Sequence, residues 1–435
     1  FDYIMGNPPF LGYSNQSKEQ KEDTLATYTD YSGKPYKSAG KIDYVANWFF
    51  KASMMTQSSK TRCAFVSTNS ITQGEQVVAV WQPLFERFGI QIDFAYRTFR
   101  WDSESDSKAH VHCVIVGFSS SRHVKSQKKI YTTASQFTVV SNINPYLIDA
   151  DNVWIDSRSK PLCDVPAMSS GGKPVEGGHL IFTEKEKNEF LEIEPSAAQY
   201  FRSFMSSDDY INNHPRWCLW LLGVSPNILR SMPHIMERVE AVRQFRLGSV
   251  KAATREYANY PTQFVEIKQP NSDYLMVPRV SSEKRKYIPM GFLKSEVIAS
   301  DATSFVPNAT LYHFGILTSN VHNAWMRVVC GRLKSDYRYS VNIVYNNFPW
   351  PNPSDEQKTK IEQTAQAILD ARALYPNSSL ADLYDEVAMP VELRRAHQQN
   401  DRAVMEAYGF PVKSSFTESQ CVAELFKLYQ ELISK

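Results

Sequence analysis

Residues 8 and 9 are both proline, and they follow a short apolar run in "FDYIMGNPPF". Proline has no N–H and a fixed φ, so neither a strand ladder nor a helix continues through the pair. Phe1–Met5 therefore predicts a short buried strand that stops at a rigid, acceptor-rich loop, Asn7-Pro8-Pro9-Phe10. Strand–helix alternation follows. Lys41–Gln57 carries helical spacing through Ile42, Val45, Trp48, Phe49, Ala52 and Met55, Thr61–Ser67 reads as a buried strand, and Gln76–Phe88 reads as a helix. Ile90–Phe99 and His110–Phe118 are strands joined by the polar "WDSESDSKA", which implies an antiparallel hairpin. Residues 1–145 thus predict an α/β domain whose mostly parallel sheet ends in an antiparallel edge.

Residues 146–350 are rich in Pro, Asn, Ser and aromatics, with few long helical patterns. Short strands are expected at Asp273–Val280, Tyr287–Phe292 and Thr310–Leu317, giving an irregular α+β region built to present surface. Residues 351–435 read as helical. Ser354 with Gln357 and Thr417 with Gln420 are capping-box pairs. Ile361, Ala365, Ile368 and Ala371 form one apolar face that ends before Pro376, and Leu425, Phe426, Tyr429 and Leu432 form another. Pro390 suits the first turn of a helix that stops at Gly409.

Composition narrows the chemistry. The net charge of +2 over 435 residues leaves any nucleic-acid surface to local clusters. Six scattered cysteines without a CxxC pair argue for reduced, buried thiols rather than a zinc ribbon or a disulfide framework. No apolar stretch approaches membrane-spanning length, and no signal peptide is visible. With no initiator Met, residue 1 reads as a cut inside a longer protein.

The loop itself suggests a reaction. Methylating an exocyclic amine on a heteroaromatic ring is hard because the nitrogen lone pair is delocalised into the ring. Accepting both N–H hydrogens pyramidalises the nitrogen and frees the lone pair. That task needs two acceptors with no competing donor, which the Asn7 amide oxygen and the Pro8 carbonyl supply. Pro9 keeps the loop rigid, and Phe10 can stack on the base. Stacking at about 1–3 kcal/mol and hydrogen bonds at about 0.5–1.5 kcal/mol each match the few kcal/mol of base flipping. A plain proline turn uses the same residues. The preceding strand and following α/β series favour the chemical reading, since open α/β sheets place chemistry at the carboxyl ends of their strands.

Here the chain resembles a known family. "NPPF" resembles motif IV of amino-group methyltransferases that use S-adenosylmethionine, and "KIDYVANWFFKA" and "RCAFVSTNSITQGEQV" resemble the segments that follow it in γ-class adenine-N6 DNA methyltransferases. "FAYRTFRWDSESDSKAHVHCVIVGF" is similar to their terminal hairpin. "FLEIEPSAAQYFRSFM", "RWCLWL", "SSEKRKYIPMGFL", "VNIVYNNFPWP" and "AHQQNDRAVMEAYGF" resemble MmeI-like type IIL (type IIG) restriction–modification enzymes. The resemblance implies the second half of a Rossmann-like methyltransferase sheet, a DNA target-recognition domain and a C-terminal helical region. It also implies that Asn7, Pro8, Pro9 and Phe10 handle the target adenine, that Phe99 or Trp101 takes the base's second face, and that Asp43, Tyr44, Ser67 and Asn69 shape the cofactor and base pocket. The partner would be double-stranded DNA in the bacterial cytoplasm. The glycine-rich cofactor loop of that family is absent: no G-x-G occurs, and Gly171–Gly172 and Gly177–Gly178 lie far downstream. S-adenosylmethionine is thus expected in the full-length protein and hardly at all on this chain. Mg2+ would serve only the family's endonuclease domain, whose motifs are missing.

Basic clusters are the candidates for DNA contact. Lys284, Arg285 and Lys286 fall in an expected hairpin loop, while Arg332, Lys334 and Arg338 sit among Tyr337 and Tyr339. Arg122, Lys125, Lys128 and Lys129 form a third cluster. His110, His112 and Cys113 lie close in sequence, but no fourth ligand is nearby and a structural role is expected. Two other functions compete: a DNA-binding specificity module without chemistry, and a protein-glutamine methyltransferase, whose amide poses the same lone-pair problem.

Overall fold

The computed structural model describes residues 1–102 and 110–434; residues 103–109 of the expected hairpin loop lie outside the described residues, as do the side chains of Asp102 and His110. The fold is mixed α/β and divides into two compact units: Phe1–Cys163 with Ala324–Trp350 and Phe410–Lys435, and Asp164–Asn323 with Pro351–Gly409.

The first unit is built on a six-stranded sheet: β1 (Tyr3–Gly6), β2 (Arg62–Thr68), β3 (Ile90–Asp102), β4 (His110–Ser120), β5 (Lys128–Tyr131) and β6 (Phe137–Val140), in the order β1-β2-β4-β3-β5-β6. β1 and β2 run parallel, with Tyr3 opposite Arg62 and Gly6 opposite Phe65. β4 inserts antiparallel between β2 and β3, as the hairpin reading expects. β3 and β5 are parallel, and β5 and β6 antiparallel. The sheet is therefore mixed rather than mostly parallel, because the inserted β4 reverses direction against both of its neighbours. Among the described residues β1 stands at the end of the sheet, with Tyr3 and Met5 67% and 75% exposed.

Helices α1 (Lys18–Thr27), α2 (Ala46–Thr56) and α3 (Glu75–Phe88) join the first strands. Along α2, Phe49 and Ala52 are buried as the spacing predicts, and Phe49 packs on Phe65, Trp81 and Phe118 at ring distances of 5.2, 5.4 and 5.5 Å. Gly89 ends α3 in the left-handed region, φ 59°, where a side chain would be strained.

Two later segments return to this unit. Trp325 is fully buried, donates its indole N–H to Val344 O at 3.0 Å, and packs on Phe426 and Tyr429 of the last helix, Glu418–Ile433. Arg327 pairs in two-pronged fashion with Glu418, at 2.8 and 2.9 Å. Thr417 and Gln420 form the expected capping box.

The second unit holds two four-stranded sheets. In one, β7 (Tyr274–Pro278) pairs antiparallel with β8 (Gly291–Leu293) and with Thr303–Pro307. The strand expected over Tyr287–Phe292 thus begins only at Gly291. The unit is more helical than its sequence suggests. Pro233–Leu247 forms a 15-residue helix that carries the fully buried Arg246, whose guanidinium donates to five backbone carbonyls. Thr310–Leu317, expected as a strand, is instead helix α4 (Leu311–Thr318), opened by Thr310 with His313 in the capping-box position. The cause is burial on nearly all sides, which erases the 3.6-residue period and leaves an apolar run that reads equally well as a buried strand.

α4 packs on α5 (Asp355–Ala373), whose buried residues are the four chosen from sequence, and α6 (Val391–Ala407) lies against α5. Gly315 permits the close crossing: a Cβ there would meet Ile361 Cγ2 at 2.7 Å and Asn400 Oδ1 at 3.1 Å. Gly315→Val should therefore overpack the crossing and lower stability by about 1–3 kcal/mol. A urea midpoint equal to that of the parent protein would show that the helices part freely.

Candidate active site

β1 ends at Gly6, and the chain turns out of the sheet through Asn7–Phe10. Pro8 is buried, Phe10 half-buried, and Asn7 and Pro9 exposed. Gly6, Asn7, Pro8 and Pro9 line a cavity of about 620 Å³ with Trp48 and Lys51. Among the described residues the Asn7 amide has no hydrogen-bond partner. An acceptor-rich loop is thus held against solvent space with its polar atoms unused.

What holds the loop is Asp43. Its buried carboxylate accepts the Tyr13 N–H at 3.0 Å, the Ser70 hydroxyl, and the Gln76 amide at 3.2 Å. The next residue, Tyr44, donates its N–H to Leu11 O at 2.9 Å. Asp43 and Tyr44, implied as pocket residues, therefore brace the loop from behind. Neither lines the cavity. The Tyr44 hydroxyl donates to Asp23 at 2.7 Å, a bond that raises its pKa, and its ring meets Trp48 edge-on at 5.4 Å. Ser70, Gln76 and Lys51 were not singled out from sequence, and Trp48 only as part of a helix face. The spacing Tyr44–Trp48–Lys51, one helical face, is the signal that held the last two.

Ser67 and Asn69 lie at the carboxyl end of β2, two and four residues beyond the partner of Gly6, and both are buried. Ser67 donates to Thr68 O at 3.1 Å, and Asn69 opens the 3-10 turn Asn69–Thr72. β3 is three strand positions from β1, about 14 Å at the usual spacing. Phe99 and Trp101 pack on each other at 6.3 Å, and Tyr96 packs on both Phe99 and Tyr131, forming an aromatic row. Trp101, at the end of that row, is 46% exposed. Cys113 is buried and its thiol is pushed up to about 11 by burial, so it is a neutral thiol at neutral pH.

Arg332 and Lys334 belong to the tight hairpin 331–338 of the same unit, with Lys334 at φ 57° in its turn. Arg332 stacks on Tyr337 at 3.8 Å and donates to Ser335 O, so it stiffens its own hairpin, whereas Lys334 and Arg338 are exposed. In the second unit Lys284, Arg285 and Lys286 lie in the connection between β7 and β8, the hairpin loop that the sequence predicts. Lys284 and Lys286 are exposed and Arg285 half-buried.

Three family models match in succession: the DNA-methyltransferase domain of MmeI over residues 1–132, its target recognition domain over 149–352, and its C-terminal domain over 353–435. The chain belongs to the MmeI family. The structure of the type IIL restriction–modification enzyme MmeI in complex with DNA is 46% identical and superposes with a TM-score of 0.91, covering 100% of this chain and 57% of that one. DNA methyltransferase A of Bacillus subtilis (strain 168) is 39% identical over 433 residues, covering 100% of this chain and 48% of the relative. The chain thus spans about half the length of the curated relative it matches.

The family implies S-adenosylmethionine, and the cavity beside Asn7 does not fit it. The lining residues are mainly apolar, and among them are no carboxylate to hold a ribose and no glycine-rich turn to admit a methionine moiety. Asp43→Ala should release the loop by stranding the Tyr13 N–H and removing one partner each from Ser70 and Gln76, at a cost of about 1–3 kcal/mol. An unchanged denaturation midpoint would assign the bracing elsewhere.

Proposed function

We propose that this chain is the methyl-acceptor and DNA-reading part of a sequence-specific adenine-N6 DNA methyltransferase, within a longer, bifunctional restriction–modification protein. The observation that carries the reading is the exposed, unpartnered Asn7 amide beside a donor-free proline pair at the carboxyl end of β1. A flipped adenine presents its amine to this loop. The Asn7 side-chain oxygen and the Pro8 carbonyl each accept one N–H, and the lone pair turns out of conjugation. Phe10 stacks on one face of the ring. The other face is assigned to Trp101, exposed at the end of its aromatic row, with Phe99 beside it as the alternative. S-adenosylmethionine, held by other parts of the longer protein, supplies the methyl group.

Duplex DNA is the proposed partner, and the region 146–350 its reader. Lys284, Arg285, Lys286, Lys334 and Arg338 supply contacts to phosphates or base edges, and Arg332 stiffens the hairpin that carries two of them. The match of residues 149–352 to a target recognition domain favours DNA over a glutamine side chain as substrate.

In the full-length protein, Asn7→Ala should lower methylation by about 10²–10³-fold, the scale for removing one group that stabilises the transition state. DNA affinity should hold. Full methylation by that variant would end the catalytic reading, and a binding module without chemistry would take its place. Replacing Lys284, Arg285 and Lys286 together by Ala should reduce the slope of log affinity against log salt, by about 0.9 for every phosphate no longer neutralised. A slope equal to that of the parent protein would move recognition elsewhere.

A further inference from the structure

The basic loop 284–286 has an unusual base. At its tip Arg285 N–H donates to Ser282 O at 3.1 Å, and Lys284 N–H to the Ser282 hydroxyl at 3.3 Å. The descending arm is pinned by distant segments almost residue by residue. Tyr287, 2% exposed, stacks on the His397 ring at 4.1 Å and 19°, and its hydroxyl donates to Asp401 Oδ2 at 2.6 Å. Ile288 N–H donates to Asn323 Oδ1 at 3.1 Å. Arg372 donates to Met290 O and to the Tyr384 hydroxyl, which shares a hydrogen bond of 2.7 Å with His397 Nε2. Asp401 is itself fixed by the Asn320 N–H at 2.8 Å. His397 and Asp401 lie on α6, within the segment that matches the family's C-terminal domain.

A solvated loop gains nothing from such a clamp. A loop that must present cations at a set spacing does, because preorganisation removes the ordering cost that binding otherwise meets. We propose that Asp401 and His397 are positioning residues that act through Tyr287 to hold the 284–286 backbone for phosphate contact, so that the C-terminal helical region takes part in DNA binding. The inference rests on reading the loop as a DNA contact, and its test separates the two.

The decisive variant is Tyr287→Phe in the full-length protein, which keeps the stack and removes only the hydroxyl, with Asp401→Asn as its mirror. Each should weaken binding to a duplex carrying the recognised site by about 5–10-fold and lower the salt slope by about one unit, as for one fewer neutralised phosphate. Because the effect passes through the loop, it should vanish when Lys284 and Lys286 are already Ala. A fold defect alone would lower the melting temperature and weaken binding equally in both backgrounds, which would overturn the positioning role. So would wild-type affinity and slope in Tyr287→Phe. If the lysine pair itself leaves the slope unchanged, the reading of the loop fails, and the positioning role with it.

Discussion

The four-rung parallel ladder between Tyr3–Gly6 and Arg62–Phe65 is what the first unit's candidate site depends on. Parallel pairing brings the ends of β1 and β2 to one edge of the sheet. Asn7–Phe10 and the Ser67–Asn69 turn therefore emerge side by side. An antiparallel pairing would have sent them to opposite edges. Four rungs are few, and Asp43 supplies the missing rigidity by tying the chain after Phe10 to Ser70 and Gln76 beyond β2.

A division of labour recurs in both units. The groups proposed to meet a ligand are exposed, as at Asn7 and at Lys284 and Lys286 in the second unit's basic loop. The atoms that hold them are buried and hydrogen-bonded, as at Asp43 and at Asp401. Buried polar groups cost free energy unless they are hydrogen-bonded, so each brace is stable only when complete. A complete brace tolerates little movement, and that gives the exposed groups a fixed geometry.

Much of the architecture was legible where the signal is local. Ser354 with Gln357 and Thr417 with Gln420 cap the helices they announce, and the α5 face of Ile361, Ala365, Ile368 and Ala371 is the buried one. The hairpin around "WDSESDSKA" pairs as expected. Leu311–Thr318 failed for a physical reason: a segment buried on nearly all sides has no polar face to mark its period. Strand order and direction were likewise hidden, since nothing local in β4 says which two strands it will separate. The bracing done by Asp43 was not legible. A buried carboxylate that accepts three donors and one that faces a ligand look identical in sequence, because the difference lies in residues 27, 30 and 33 positions away.

By itself the sequence determined the chemistry on offer: two acceptors without donors at Asn7 and Pro8, an aromatic after them, and cations clustered at 284–286. These follow from residue type, since proline lacks an N–H wherever it sits. Tertiary structure alone decided which groups are spent on the fold and which stay exposed. Pairing, burial and hydrogen-bond closure between distant segments make that choice, turning Asp43, Arg332 and Tyr287 inward as braces and leaving Asn7, Lys284 and Lys334 exposed.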